Sequence, residues 1–312
     1  MPDVAVHASF GKEVLERLPA GIRETIHPVP FEFAQFGPDP WFMYKPWVSR
    51  REGRGRRMHT TKTGAFLMTL AKQAREGKVR DDMFSYLAGF LCHYALDTGT
   101  HPYIIRRTTT EFHYPRAHMS FEHSLDVKQM ERDGHAGEKH PITDHYFHPR
   151  RLPKAMEEEL NRVYETVYGW KDCHRALNEA YRLYRQCYRM MENPENMSAR
   201  LARRSGESVL RSLVYSESFF REVDVENEAH AEWAHSHEEE DVSRESFPEL
   251  REKAAARAVE MIEAAYGWIY RDEGTEEELS VLIGNRSYLS GLDLDDPRNM
   301  KVASLLPPEK EE

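Results

Sequence analysis

Residues 89–103 read GFLCHYALDTGTHPY, and within them His93, Asp97 and His101 recur at every fourth position. A helix turns by about 100° per residue, so these three side chains stack on one face. Phe84, Leu87, Phe90, Leu91, Tyr94 and Ala95 form an apolar stripe on the same segment, which predicts a buried helix. Burying an imidazole and a carboxylate there is costly unless they are paired or coordinated. One such pair alone reads as a buried His–Asp ion pair. Here a second pair, His118 and Glu122 in HMSFE, repeats the spacing downstream. Histidine with carboxylate is a ligand set of zinc, and more than four such groups imply more than one ion. The two oxygens of Asp97 can bridge two cations, which makes it the natural centre. The pattern points to a metal-dependent hydrolase. Pro102 follows His101, so the helix is expected to end there and present free carbonyls to the cations.

Outward from this stretch the pattern is helical nearly throughout. Amphipathic segments are predicted near 9–18, 59–77, 80–98, 116–132, 153–168, 171–192, 197–221 and 248–272. No run alternates with the Val, Ile and Thr enrichment of a strand. The expectation is an all-α fold, one large multi-helix domain over residues 1–296, with a flexible tail at 297–312. Residues 27–47 hold five prolines and seven aromatics, too apolar for a linker, and are expected to be an ordered loop. Residues 50–57, RREGRGRR, read as a solvated basic turn or as a clamp for phosphate or an acidic lipid surface. Residues 133–152 read as a histidine-bearing loop. The acidic stretch 222–246 reads as a solvated, mobile connector.

Composition narrows the function. A formal charge of -10 over 312 residues argues against a general polyanion-binding surface, so no stable nucleic-acid complex is expected. Three cysteines, Cys92, Cys173 and Cys187, make a disulfide framework improbable in a chain of this length. Cys92 lies about 100° round the helix from the ligand face and reads as a small core residue. The start MPDVAVHASFGKEV lacks the features of a secretory leader, and no window approaches 18 apolar residues. The chain is expected to be cytoplasmic, with no transmembrane segment and at most a peripheral membrane contact.

Three more candidate ligands lie upstream. His7 sits in the apolar run VAVHASF, Asp39 between prolines in GPDP, and His59 at the start of MHTTKTGAFL. Each has a plain alternative: a packed core group, a turn residue, an N-terminal helix residue. His123 next to Glu122 points elsewhere, and Asp126 is placed to orient a ligand. The motifs HASFG, GPDPWFMY, MHTTKTGAFL, GFLCHYALDTGTHPY and AHMSFE occur in the order seen in zinc-dependent phospholipase C. The chain resembles the signal-less bacterial members of that family over roughly residues 1–130. Its wider superfamily includes S1/P1-type nucleases, which share the all-α fold. The resemblance implies two or three Zn²⁺ ions per chain, up to a trinuclear site. It implies a first ion on Asp39, His59 and His93, and a second on His101, His118 and Glu122. His7 would help hold a third, with Asp97 bridging the first and third.

Two departures stand out. Secreted relatives complete the third site with a processed N-terminal Trp, which this chain lacks; water or the terminus of Met1 or Pro2 is expected in its place. The spacing from Asp97 to His101 is also shorter than in those enzymes. Clustered zinc implies attack of activated water on a phosphoester, with Asp39 both ligand and catalytic base. Phe36, Trp41, Phe42 and Tyr44 flank Asp39 and are candidates to bind a choline-like head group by cation–π contact or to stack on a base. An equal alternative is that they anchor the loop in the core. Thr60 stands where nuclease-type relatives carry a base-stacking neighbour, which favours a small phosphodiester or phospholipid head group as substrate. The competing functions are an S1/P1-type nuclease or nucleotidase, and a non-catalytic helical protein with a structural metal site.

Overall fold

The computed structural model describes residues 3–44, 53–110, 117–148, 151–192 and 223–299. Among these the protein is all-α, with one two-stranded sheet. Helices run Val4–Arg17 (α1), Ala20–Arg23 (α2), Pro28–Ala34 (α3), Arg54–Thr60 (α4), Thr63–Glu76 (α5), Arg80–Thr110 (α6), Ala117–Asp133 (α7) and Pro141–His145 (α8). Further on come Glu157–Tyr168 (α9), Cys173–Met191 (α10), Phe247–Tyr270 (α11) and Glu276–Ile283 (α12). The strands Trp233–His235 (β1) and Glu238–Ser243 (β2) form an antiparallel hairpin. No helix of the described residues is long and apolar enough to cross a membrane.

The axis of the fold is α6. Its 31 residues lie against α3, α5 and α11, with α1, α7 and β1 alongside. Phe84, Leu87, Phe90, Leu91, Tyr94 and Ala95 are fully buried, as the apolar stripe predicts. Local signals fix the ends of its neighbours. Asp3 caps α1 through its carboxylate, and Ser246 with Glu249 and Thr275 with Glu278 close reciprocal capping boxes on α11 and α12. Pro28 opens α3 at a position where the missing N–H costs nothing.

Four readings of the sequence are corrected. First, α6 does not end at His101 but continues through Pro102 to Thr110. A proline there leaves the Thr98 carbonyl without its amide partner, and the C-terminal segment packs over that carbonyl. Gly291, at φ +68°, approaches so closely that a Cβ would stand 2.3 Å from the Thr98 oxygen. Gly291→Ala is therefore expected to lower stability by about 2 kcal/mol or more, from left-handed strain plus overlap, measurable by denaturant unfolding.

Second, the acidic stretch 222–246 is structured wherever it is described. Val225, Glu226 and Asn227 are buried, Tyr103 Oη donates to the Val225 carbonyl at 2.9 Å, and Glu226 pairs with Arg132. Charged side chains on the outer strand mask the few buried positions that anchor it. Third, the segment 59–77 is two helices, broken where Lys62 adopts φ +57°. His59 thus lies in the last turn of α4 rather than opening a helix. Fourth, the loops at 27–47 and 133–152 contain α3, a 3-10 turn at Asp39–Met43, and α8. The helix predicted at 197–221 and most of the tail at 297–312 lie outside the described residues.

Candidate metal centre

Four elements converge beneath α6. From α1 comes His7, from the 3-10 turn Asp39, and from α4 His59. From α6 itself come His93, Asp97 and His101, and from α7 His118 and Glu122. Three groups have donor atoms mutually within 4.8 Å: His7, His93 and Asp97; Asp39, His59 and His93; and His101, His118 and Glu122. Asp97 joins them. Its Oδ1 is 3.3 Å from His7 Nε2, and its Oδ2 is 3.1 Å from His93 Nε2, 3.8 Å from His101 Nδ1 and 4.0 Å from His59 Nε2. His59 Nε2 lies 3.3 Å from Asp39 Oδ1, and His118 Nε2 lies 2.8 Å from Glu122 Oε1.

Backbone carbonyls set the tautomers. His59 Nδ1 donates to the Gly55 carbonyl at 2.7 Å, His93 Nδ1 to that of Gln35 at 3.2 Å, and His101 Nδ1 to that of Tyr288 at 2.7 Å. A neutral imidazole that donates from Nδ1 keeps a lone pair on Nε2. All three Nε2 atoms point into the cluster, buried and without a hydrogen-bond partner. Both ring nitrogens of His7, Asp39 Oδ1 and both oxygens of Asp97 are likewise buried without a hydrogen-bond partner. Buried polar atoms are ordinarily satisfied, and this many orphans aimed at one another fit a set of cations. Nitrogen and carboxylate oxygen are also the donors that zinc prefers. The residues present fit that metal.

The same chain stretches set the shape. Gly37, at φ +46°, lies so close to His93 that a Cβ would stand 2.3 Å from its ring. Asp126 acts on the backbone of α1. Its carboxylate accepts from the amides of Ala5 at 3.0 Å and Val6 at 2.9 Å. It therefore holds the first turn of α1, which carries His7. Asp126→Ala would leave two buried amides unpaired and is expected to cost about 3 kcal/mol, read as a fall in denaturant midpoint. Cys92 is a buried core thiol, and burial raises its pKa.

The flanking aromatics divide. Phe36 and Trp41 are core side chains, 0% and 1% exposed. Phe36 stacks on Phe147, and Trp41 Nε1 donates to Tyr164 Oη at 3.3 Å. Both belong to the loop anchor rather than to a substrate platform. Tyr44 faces the Arg54 guanidinium at 4.8 Å, together with Trp41 and Trp170. Arg54 is thus engaged with aromatic rings, and the residues before position 53 of the basic run lie outside the described set. Phe42 is 40% exposed and tilts on His59 with centroids 5.1 Å apart. Of the eight cluster side chains, only His118 has comparable exposure, 36%.

One contributor has no sequence signal. Tyr288 is buried against His59 and His93, with ring centroids 5.2 and 5.7 Å apart. Its amide donates to the His59 carbonyl at 3.1 Å while its carbonyl receives His101. A backbone contact leaves no trace in residue type, so only the Pro102–Gly291 pairing could have hinted at it.

A family model for zinc dependent phospholipase C matches residues 6–186. The chain belongs to that family. The match covers more than half of the 312 residues and includes all eight cluster side chains. No curated protein and no solved structure matches the chain. Tyr288, whose carbonyl holds His101, lies beyond the segment that the family model matches.

Protons compete with metal for this centre. Burial, then the neighbouring His93, lowers the pKa of His7, and burial holds His101 well below the usual imidazole value. His93 moves the other way: burial opposes its charge, but Asp97 and Asp39 outweigh it. The two lowered groups contribute stability above their unfolded pKa of about 6.5 that is lost as pH falls, whereas His93 contributes stability below that value. Below pH 6.5 His93 is protonated in both states, so His7, His101 and His118, whose pKa burial also lowers, set the balance, and the unfolded chain takes up more protons. Chelator-treated protein is therefore expected to lose stability on acidification below pH 6.5, at about 1.4 kcal/mol per pH unit for each such group. Urea titrations from pH 8 to 5 measure the slope; a flat or opposite slope contradicts the assignment.

Proposed function

We propose that this zinc-dependent phospholipase C family member is a phosphodiester hydrolase that uses a multinuclear zinc centre. The eight ligands are His7, Asp39, His59, His93, Asp97, His101, His118 and Glu122, and the substrate is a small phosphodiester or phospholipid head group. The observation that carries this reading is the set of buried, orphaned donor atoms from six side chains of the cluster. Participation of Met1 or Pro2 in the third group concerns residues outside the described set. Zinc, when bound, lowers the pKa of water to about 7 and neutralises charge on the phosphoryl group.

The protein's own residues do the rest. Nδ1 hydrogen bonds to Gly55, Gln35 and Tyr288 hold three imidazoles with Nε2 directed inward, which removes the cost of ordering them on binding. The attacking water gives its proton to Asp39, whose Oδ1 lies 3.3 Å from His59 Nε2. The water oxygen forms the new bond to phosphorus, and the alcohol departs with a proton from solvent on the His118 side. Phe42, half in solvent beside His59, supplies the apolar wall for the leaving alcohol or the head group.

The test is a substrate screen with the zinc-loaded full chain. Phosphatidylcholine vesicles, a soluble aryl phosphodiester and single-stranded DNA are compared under one set of conditions. Release of phosphorylated head group, with little cleavage of DNA, is expected. Preferential DNA cleavage would replace the proposal by the nuclease reading. Failure to hydrolyse any of the three at full zinc loading would leave a structural metal site. Asp39→Asn should retain zinc in part and lose the basic limb of the pH–rate profile; an unchanged profile removes Asp39 as base.

A further inference from the structure

The turn between α7 and α8 carries a second group of metal-type donors that the buried centre does not use. His135 Nδ1 is 3.1 Å from Glu138 Oε1, and His145 Nε2 is 2.6 Å from Glu138 Oε2. The two imidazoles stack with centroids 3.5 Å apart and planes 9° from parallel. All three side chains are partly exposed, between 28% and 45%, so each could be solvated separately. Instead they meet. Two protonated rings stacked so closely would repel, and one carboxylate serves both.

Their backbone is held in place. The His135 amide donates to the Met130 carbonyl at 2.9 Å. Helix α8, which ends at His145, has its Ile142 and Thr143 amides donating to buried Glu192 at 2.8 and 3.1 Å. Next to His145, Tyr146 Oη donates to Asp133 Oδ2 at 2.6 Å. Donors mounted on fixed backbone lose little freedom on binding. His135 and His145 also line a cavity of about 690 Å³, shared with His148, Asp133 and Glu32.

We propose that His135, Glu138 and His145 form a separate divalent transition-metal site on the wall of this cavity. Two imidazole nitrogens and one carboxylate suit Zn²⁺, with Cu²⁺ and Ni²⁺ as competitors, whereas oxygen-seeking Mg²⁺ and Ca²⁺ are disfavoured. In a tetrahedral zinc site the donors stand about 3.4 Å apart; the 3.1 Å between His135 and Glu138 is near that, and the 2.6 Å between His145 and Glu138 would open by a side-chain rotation as the ion replaces the shared proton. Three protein ligands leave a fourth position for water or for a small oxygen or nitrogen donor in the cavity. The site shares no residue with the buried centre and does not depend on the proposed hydrolysis.

The decisive experiment counts zinc. Full-length protein, purified without chelator, is titrated with Zn²⁺ by calorimetry and its metal content measured after dialysis. Wild type, His145→Ala, Glu138→Gln and the surface control His230→Ala are compared. Wild type and His230→Ala are expected to bind one further ion that both test variants bind at least tenfold more weakly. The ions lost in Asp97→Asn should remain in both. Equal uptake by wild type and the two test variants, or no further ion in wild type, overturns the proposal. Glu138→Gln preserves shape and an acceptor, so folding, checked by circular dichroism, does not confuse the result.

Discussion

Asp97→Asn is expected to strip at least one zinc ion from the chain and to lower phosphodiester hydrolysis by about 100-fold or more. Changes in residues that merely support a ligand cost about 10- to 100-fold in metal affinity or activity, and Asp97 is central to the cluster itself. Its carboxylate, 0% exposed, faces His7, His93, His101 and His59 at 3.3, 3.1, 3.8 and 4.0 Å. Asparagine keeps the volume but removes the negative charge and replaces one acceptor with a donor. Burial opposes the charge of Asp97, yet His93 and His101 hold its pKa well below the usual carboxylate value; the amide forfeits that attraction. Elemental analysis beside a rate measurement checks the result. Asp126→Asn is the informative partner, since Asp126 is equally buried but grips backbone amides of α1. It should lose stability while keeping its zinc better than Asp97→Asn. Wild-type zinc content in Asp97→Asn would remove the carboxylate from the centre.

Gly37→Ala is expected to be nearly as severe, although it touches no ligand atom chemically. The backbone there sits at φ +46°, and a Cβ would lie 2.3 Å from Cδ2 and 2.5 Å from Cγ of His93. Left-handed geometry costs an L-residue about 1–2 kcal/mol, and overpacking adds about 1–3 kcal/mol. The imidazole has nowhere to retreat, because it is fully buried and its Nδ1 is held by the Gln35 carbonyl. A displaced ring loses its aim at two donor groups. A positional error of about 1 Å can cost 100-fold in rate, so a loss of at least one zinc and a similar fall in activity are expected. Unfolding in chelator separates the two contributions, since strain persists without metal whereas zinc linkage does not. A variant with wild-type zinc and rate would show that the turn yields at little cost.

The α6 stripe, its His93–Asp97–His101 ladder and the His118–Glu122 pair are legible because helical periodicity is local: spacing alone assigns residues to a face. The family match over residues 6–186 agrees with the resemblance carried by the early motifs. The same local reasoning misjudged Pro102, where the helix runs on and the Thr98 carbonyl left without its amide is covered by the chain at Gly291, far along the sequence. It also misjudged the acidic stretch 222–246, whose order rests on a few buried residues, Val225, Glu226 and Asn227 before the hairpin and Ala234, Ser236 and His237 within it, among many charged ones. Phe36 and Trp41 show the limit for aromatics: proximity to Asp39 in sequence says nothing about which ring faces solvent.

By itself, then, the sequence determined the helical class, the zinc-type donor set and the phospholipase C family, because those follow from residue chemistry and short-range spacing. Tertiary structure alone decided that His7 and His59 meet Asp97, that Asp39 meets His59 and His93, and that the Gly55, Gln35 and Tyr288 carbonyls turn three imidazoles inward. It alone brought His135 and His145 face to face. Those are contacts between distant segments and to backbone atoms that every residue carries, so their specificity resides in packing rather than in side-chain identity.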